Sequence, residues 1–570
     1  MRQLCSSAGF TAVGSGIAML ALGACHGGVA TQTAPGNQST GGHFGSASGG
    51  GGVAGSGGAG GSSVAGTVGF TLDCAQPNLG SPALRLLTRN ELENTLWDIF
   101  PTLKGQWTGA LPSNTLSARG FDNDASAIVG KQMAGALVDT ALSVATALTG
   151  DGLAGILPCA TSASDRTCAD QFVTKYGRRL FRRAVSAVER DRYLAFFDAS
   201  KAKSDFKTAL KWLAVGLISS PNAVYRSEIG SDKGDGTRQL SPSEIATALS
   251  YTYTGSTPSE ALQAQADNGT LGDTLAAART LMATPPGKQA VQHFFEGYLS
   301  YTGVSSVQRP NITNFSAISA DMVAETRAFI DDVVLQHGGG LTQLLIAPTT
   351  NPSPALASYY GFPAPATGST SVARPMGRGL GLLAQGAFLT THASPDSSSP
   401  TRRGLFPYIQ LLCEKKPSPP PNVPQIAAPT PGQKTTRQRY EEVHGKMGPA
   451  CAACHQRFDP IGFGFEHFDE GGRYRDKEAG LTIDTSGAVS KADGTALFSF
   501  TSQEELVAGL AKQPVIHQCL SAYLATYAFG SDEACLGASN VSALQSGAIG
   551  IAEAFARLAA EPHFTKRNSR

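Results

Sequence analysis

Residues 451–455 read CAACH, which places two cysteines and a histidine within five positions of a chain that has only ten of each in 570 residues. Four chemistries use a Cys-x-x-Cys pair: a redox dithiol, a structural zinc site, a plain disulfide and covalent haem attachment. A zinc site needs about four ligands, and no second CxxC or paired histidine stands nearby to complete one. A plain disulfide leaves the adjacent His455 without a role. Haem attachment uses all three residues: Cys451 and Cys454 form thioethers to the vinyl groups, and His455 ligates the iron.

The compartment decides between the haem and the dithiol. Residues 1–24 carry one charge near the start, Arg2, followed by an apolar stretch diluted with glycine, the layout of a secretory signal. Leu22-Gly23-Ala24-Cys25 reads as a bacterial lipobox, in which signal removal exposes Cys25 for acylation, with an ordinary cleaved signal as the alternative. His26 after the cysteine favours sorting to the outer membrane. Residues 26–69, with GGHFGSASGGGGVAGSGGAGGSS, form a flexible leash to the lipid. No later stretch reaches the roughly 18 apolar residues that span a bilayer. An exported chain with helical surroundings argues against a cytosolic dithiol enzyme and for haem c.

The elements that must position this site read as mainly α. Capping boxes mark helix starts at Thr88/Glu91, Ser186/Glu189, Ser241/Glu244 and Ser502/Glu505. Apolar residues follow at helical spacing, as in Leu92, Leu96, Ile99 and Phe100. Strand-like alternation is concentrated in 480–500, where Ser-Gly and Asp-Gly turns predict small hairpins. KKPSPPPNVP at 415–424 is a stiff connector. Lys175, Arg178, Arg179, Arg182 and Arg183 line up at helical spacing as a solvated or ion-paired face, with docking of an acidic partner as the sharper reading. A formal net charge of +1, which falls to zero once Arg2 is removed, argues against a nucleic-acid partner. Nucleophile-elbow, Walker, dinucleotide and HExxH patterns are all missing, so nothing supports a hydrolase or nucleotide enzyme.

The segment PACAACHQRFDPIGFGFEHFDEGGRYRD resembles the haem-attachment segment of a family of large secreted bacterial proteins, built as strings of domains of unknown function with cytochrome-c-like haem binding. HASPDSSSPTRRGLFPYIQLLCEKKPSPPPNVP is similar to the earlier half of that module. LLTRNELENTLWDIF with ARGFDNDAS resembles the family's first domain, CADQFVTKYGRRLFRRAV its second, 238–367 its third and 496–560 its last. The resemblance implies small helical domains in series at 75–150, 159–230 and 238–367, a haem module at 376–485 and a helical domain at 496–560. It also implies a surface or periplasmic cytochrome-like protein carrying one covalent haem.

For the sixth iron ligand, His392 ranks first because it matches a histidine common in relatives, and His444 second, one position off the family's usual histidine. Met376 is a distant reserve. His467 stands where relatives often carry Asn and is no obligatory ligand. Pro449 and Pro460 are expected to bracket the site and Asp459 to cap the following turn. Arg473 and Arg475 are candidates for haem propionates or simple surface residues. Phe458, Phe463, Phe465 and Phe468 would serve a haem face or a small core equally well.

Six cysteines remain in an oxidising compartment, which favours disulfides, and six allow fifteen pairings. Proximity in sequence favours Cys159–Cys168 and Cys519–Cys535, and elimination then joins Cys74 to Cys413. Two function classes follow: an envelope electron carrier that passes electrons to a redox partner protein, or a haem enzyme of peroxidase-like or dehydrogenase-associated type. A helical envelope binding module with secondary haem is a third reading.

Overall fold

Local sequence chemistry builds the helices as expected. In α1 (Arg89–Ile99), following strand β1 (Ala83–Leu86), the Thr88 hydroxyl accepts from Glu91 N–H while the Glu91 carboxylate accepts from Thr88 N–H. The same reciprocal cap starts α2 (Ala187–Lys201) at Ser186 and, beyond β2 (Tyr225–Glu228), α3 (Pro242–Thr254) at Ser241. Each such cap stabilises a helix by about 1 kcal/mol. A computed structural model describes residues 78–109, 111–162, 165–415, 433–446, 449–531 and 538–569, with the backbone alone at 445–446 and 449–451. The signal, the leash, Cys25, Cys74, Cys535 and the Cys451 side chain lie outside the described residues.

The architecture is mainly α, with only short antiparallel strand pairs. Around the CxxCH segment the chain runs through α4 (Gly386–Thr391), α5 (Pro400–Phe406), α6 (Thr436–Lys446) and α7 (Pro449–Phe463). The predicted hairpin follows as β3 (Gly487–Ser490) against β4 (Ala496–Phe500), then α8 (Gln503–Ala511) and α9 (Pro514–Phe529). Ser502 caps α8 as predicted, but the Glu505 carboxylate accepts instead from Thr501, one residue earlier.

Apolar side chains gather into two large clusters. One holds residues between Leu86 and Val224 together with Tyr251, and the other reaches from Phe121 and Ala248 through Phe406 and Phe465 to Phe564. The second cluster therefore joins side chains from the 238–367, 376–485 and 496–560 segments in one core, and Phe458 of the CxxCH helix is part of it. Among the described residues no helix is long and apolar enough to cross a membrane.

The basic cluster divides between ion pairs, as expected for Arg178 and Arg183, and burial, which was not expected. Arg179 and Arg182 are buried, donating to the Pro258 carbonyl and to the carbonyls of Asn222, Ala223 and Tyr225. Arg178 pairs with Asp267, and Arg183 with Glu189 at 2.8 Å. The Arg179 and Arg182 guanidinium groups close backbone ends inside the fold, where unpaired carbonyls would be costly.

Cys159 and Cys168 form a disulfide with Cα atoms 5.6 Å apart. The other expected pairings are overturned: Cys413 is bonded to Cys519 across a separation of 106 residues. A sulfur makes one disulfide, so this bond excludes both Cys74–Cys413 and Cys519–Cys535. Packing is the reason, since α9 lies against the turn that precedes Cys413 and brings the Cys519 sulfur 3.2 Å from the Gln410 carbonyl. Loop entropy gives such a crosslink about 4–5 kcal/mol as an upper value. Cys413→Ser with Cys519→Ser should therefore cost about 2–4 kcal/mol in denaturant titration. Non-reducing peptide mapping should recover the Cys413–Cys519 pair; a Cys74–Cys413 peptide would contradict it.

Candidate functional site

Pro449 opens α7, where a missing backbone N–H costs nothing, and the helix carries Cys454 and His455 side by side. Pro460 does not close the helix as the sequence predicts but sits inside it, one turn before Phe463. It removes one backbone hydrogen bond near the C-terminus, where the helix carbonyls are losing partners anyway. Cys454 is half-buried and in no disulfide.

A glycine pair sets the position of α7. A Cβ on Gly404 of α5 would stand 1.8 Å from the Phe458 carbonyl oxygen, and one on Gly462 of α7 would stand 1.9 Å from the Pro400 carbonyl oxygen. Only glycine permits two backbones to touch in this way. Arg403 of the same helix is fully buried and spends its guanidinium on the carbonyls of Leu389, Phe465, Phe468 and Asp469, tying α5 to the chain that leaves α7.

That close approach delivers Thr401 to Asp459. The Asp459 carboxylate is the hub of the site, not the cap of a following turn. It accepts from the Thr401 hydroxyl at 2.6 Å, from His444 Nδ1 at 2.5 Å and from His455 Nδ1 at 3.1 Å. Burial pushes the Asp459 carboxyl up, but the hydrogen bonds from His444, His455 and Thr401 outweigh it and hold it below the usual carboxylate range. The His444 and His455 rings stack with centroids 3.5 Å apart, and Phe458 meets the His455 ring edge-on at 5.2 Å. A cleft of about 240 Å³ runs along this face, lined by Tyr440, His444, Ala452, His455, Pro460 and Phe463 among others.

Among the described residues, His444, His455 and Asp459 form a group whose metal-binding atoms all lie within 4.8 Å of one another. The His444 and His455 rings lie face to face beside the carboxylate they share. His392 lies outside the group: its Nδ1 donates to the Phe388 carbonyl at 2.9 Å, and its ring sits between Phe388 and Phe406. Burial lowers its pKa to about 4, which keeps the imidazole neutral. Met376 is fully exposed.

The remaining candidates divide. Phe458 and Phe463 flank the site, while Phe465 packs on Phe388 and Phe468 on Tyr474 in the core. Arg473 is committed to Asp469 at 2.8 Å, and Arg475 to Glu466 and Glu478. His467 donates to the Arg475 carbonyl and stacks on Tyr474. The sequence reading missed Thr401 and the role of Asp459; the available signal was the i, i+4 spacing of His455 and Asp459 on a helix.

The donor set fits a c-type haem. His455 commits Nδ1 to the buried Asp459 carboxylate. This is the arrangement that orients a metal-binding histidine. Cys454 is an available thiol on the same helix.

Four family models match the chain in series. Residues 85–150 match PSD3, a protein of unknown function (DUF1587), and 168–228 match PSD5, a protein of unknown function (DUF1595). Residues 240–362 match PSD4, a protein of unknown function (DUF1592), and 378–478 match PSCyt3, a protein of unknown function (DUF1588). The last match contains the whole CxxCH site. No curated protein and no solved structure matches the chain.

Proposed function

We propose that this chain is an envelope c-type haem protein that carries electrons through one haem bound by Cys451, Cys454 and His455. The observation that carries the reading is the α7 helix, where His455 follows Cys454 with Nδ1 held by the buried Asp459 carboxylate. The cytochrome element in the name PSCyt3, whose match spans this helix, supports it. A bound haem supplies a one-electron Fe(III)/Fe(II) couple. The protein's part is to fix and tune it: Asp459 and Thr401 hold His455 in one tautomer and orientation, and Phe458 and Phe463 keep water from that side. The reading includes lipid attachment at Cys25, which leaves the folded body in the envelope, within reach of a redox partner protein.

A second reading, a haem enzyme with an exchangeable sixth position, is favoured by one observation: His392 Nδ1 is committed to the Phe388 carbonyl, and the His444 ring is stacked on His455 with Nδ1 on Asp459. Reduced-minus-oxidised spectra with and without carbon monoxide separate the two. A carrier is expected to show a six-coordinate spectrum that carbon monoxide leaves unchanged, and a rapid carbon monoxide shift favours the enzyme. His392→Ala adds a second check, since loss of the low-spin spectrum would identify His392 as the sixth ligand.

A further inference from the structure

The Asp459 carboxylate serves three donors that come from three helices. His455 lies four residues earlier on α7, Thr401 is on α5 and His444 is on α6. The carboxylate is buried, with its side chain 7% exposed, while those of His444 and His455 are 10% and 19% exposed. An ionised carboxylate offers about four acceptor positions, so three donors nearly saturate it. The bonds are unequal: His444 and Thr401 hold Asp459 at 2.5 and 2.6 Å, and His455 at 3.1 Å. In a carboxylate–histidine–metal relay, the carboxylate raises the basicity of the ligand histidine, and an electron-rich ligand stabilises the ferric state. Every other donor to the same carboxylate draws charge away from that relay.

We propose that Asp459 is a positioning residue that sets the donor strength of His455 toward iron, and that His444 and Thr401 act as brakes on it by sharing its charge. The proposal rests on haem attachment at Cys451, Cys454 and His455. It assigns His444 a role other than iron ligation: a neighbour stacked on the proximal ring at 3.5 Å that competes for the proximal carboxylate.

The signs of the effects make it testable by potentiometry on the full-length haem-loaded protein. Asp459→Asn keeps the shape and removes the charge, and should raise the midpoint potential by at least the equivalent of a tenfold change in equilibrium constant, about 59 mV for one electron. His444→Phe keeps a ring against His455 but removes the donor, and Thr401→Val removes the hydroxyl; each should lower the potential. Asp459→Glu should move the potential back toward wild type. A structural role predicts something else, because loosening the site admits water in every variant and shifts all of them in one direction. Shifts of a single sign, or an Asp459→Asn shift below tenfold, overturn the proposal. Loss of the low-spin spectrum in His444→Phe also overturns it, by showing that His444 binds iron. If Asp459→Asn does not fold, Asp459→Glu, which keeps the charge, stands in for it: a potential near wild type beside lowered His444→Phe and Thr401→Val values supports the relay, and an equal fall in all three overturns it. Haem content of the denatured wild-type protein is measured separately, so absence of haem marks failure of the parent reading and not of the relay alone.

Discussion

Gly404→Ala and Gly462→Ala should each destabilise the protein by about 3 kcal/mol or more, at the upper end of what overpacking costs. The added Cβ would meet backbone in both cases, the Phe458 carbonyl at 1.8 Å and the Pro400 carbonyl at 1.9 Å, and no side-chain rotation relieves either contact. The helices would have to part, carrying Thr401 away from Asp459. Gly216, inside the helix Phe206–Ile218, is the control: its nearest neighbour would be Tyr193 Cε1 at 3.9 Å. There, Gly→Ala should stabilise by about 0.5–1 kcal/mol through helix propensity. Urea titrations of the three variants check the contrast, and equal losses at all three positions would refute the packing account.

Acid should weaken the fold well before bulk carboxylates protonate, and His563 is the reason. Burial lowers its pKa from 6.5 to about 3, Arg567 and Arg85 add to the effect, and Glu228 opposes it. The folded state thus holds His563 neutral while the unfolded chain takes a proton below pH 6.5, so stability is full above that value and falls steadily toward pH 3. At 1.36 kcal/mol per unit the whole window is worth about 5 kcal/mol. Glu228 acts in the same direction. It is buried, and although burial pushes its carboxyl up, Arg85, Arg567 and Arg226 hold it well below the usual range. Its contribution is present above the ordinary glutamate pKa and is lost as pH falls toward its own. His563→Phe keeps a ring against Phe529, whose ring centroid lies 4.1 Å from that of His563, and should flatten the stability profile between pH 3 and 6.5. An unchanged slope in that variant would show that the acid response lies elsewhere.

What could be read from the chain beforehand was what is decided locally. Three of the four capping boxes are reciprocal because cap and acid lie three residues apart and need no tertiary contact. The hairpin from Gly487 to Phe500 followed from its turn residues and alternation. The CxxCH pattern is likewise local, written within five residues. Features made by long-range packing were not. The partner of Cys413 depends on α9 settling beside it 106 residues later. The arginines at 178–183 have helical spacing, yet two of them turn inward to carbonyls supplied by other segments. Asp459 gains its importance from Thr401, which only the glycine contact between α5 and α7 brings within reach. The carboxylate shared by His444 and His455 likewise depends on packing between α6 and α7.

The central claim is covalent haem at α7, and the most direct measurement is haem retained by the purified, fully denatured protein after acidic acetone extraction, read as a pyridine haemochrome spectrum and as peroxidase stain on a denaturing gel. The wild-type chain, expressed with a cytochrome c maturation system, should retain one haem with the band position of two thioether bonds, and Cys451→Ala with Cys454→Ala should retain none. Haem that extracts completely from the wild type, or that stays with the double variant, would contradict the account.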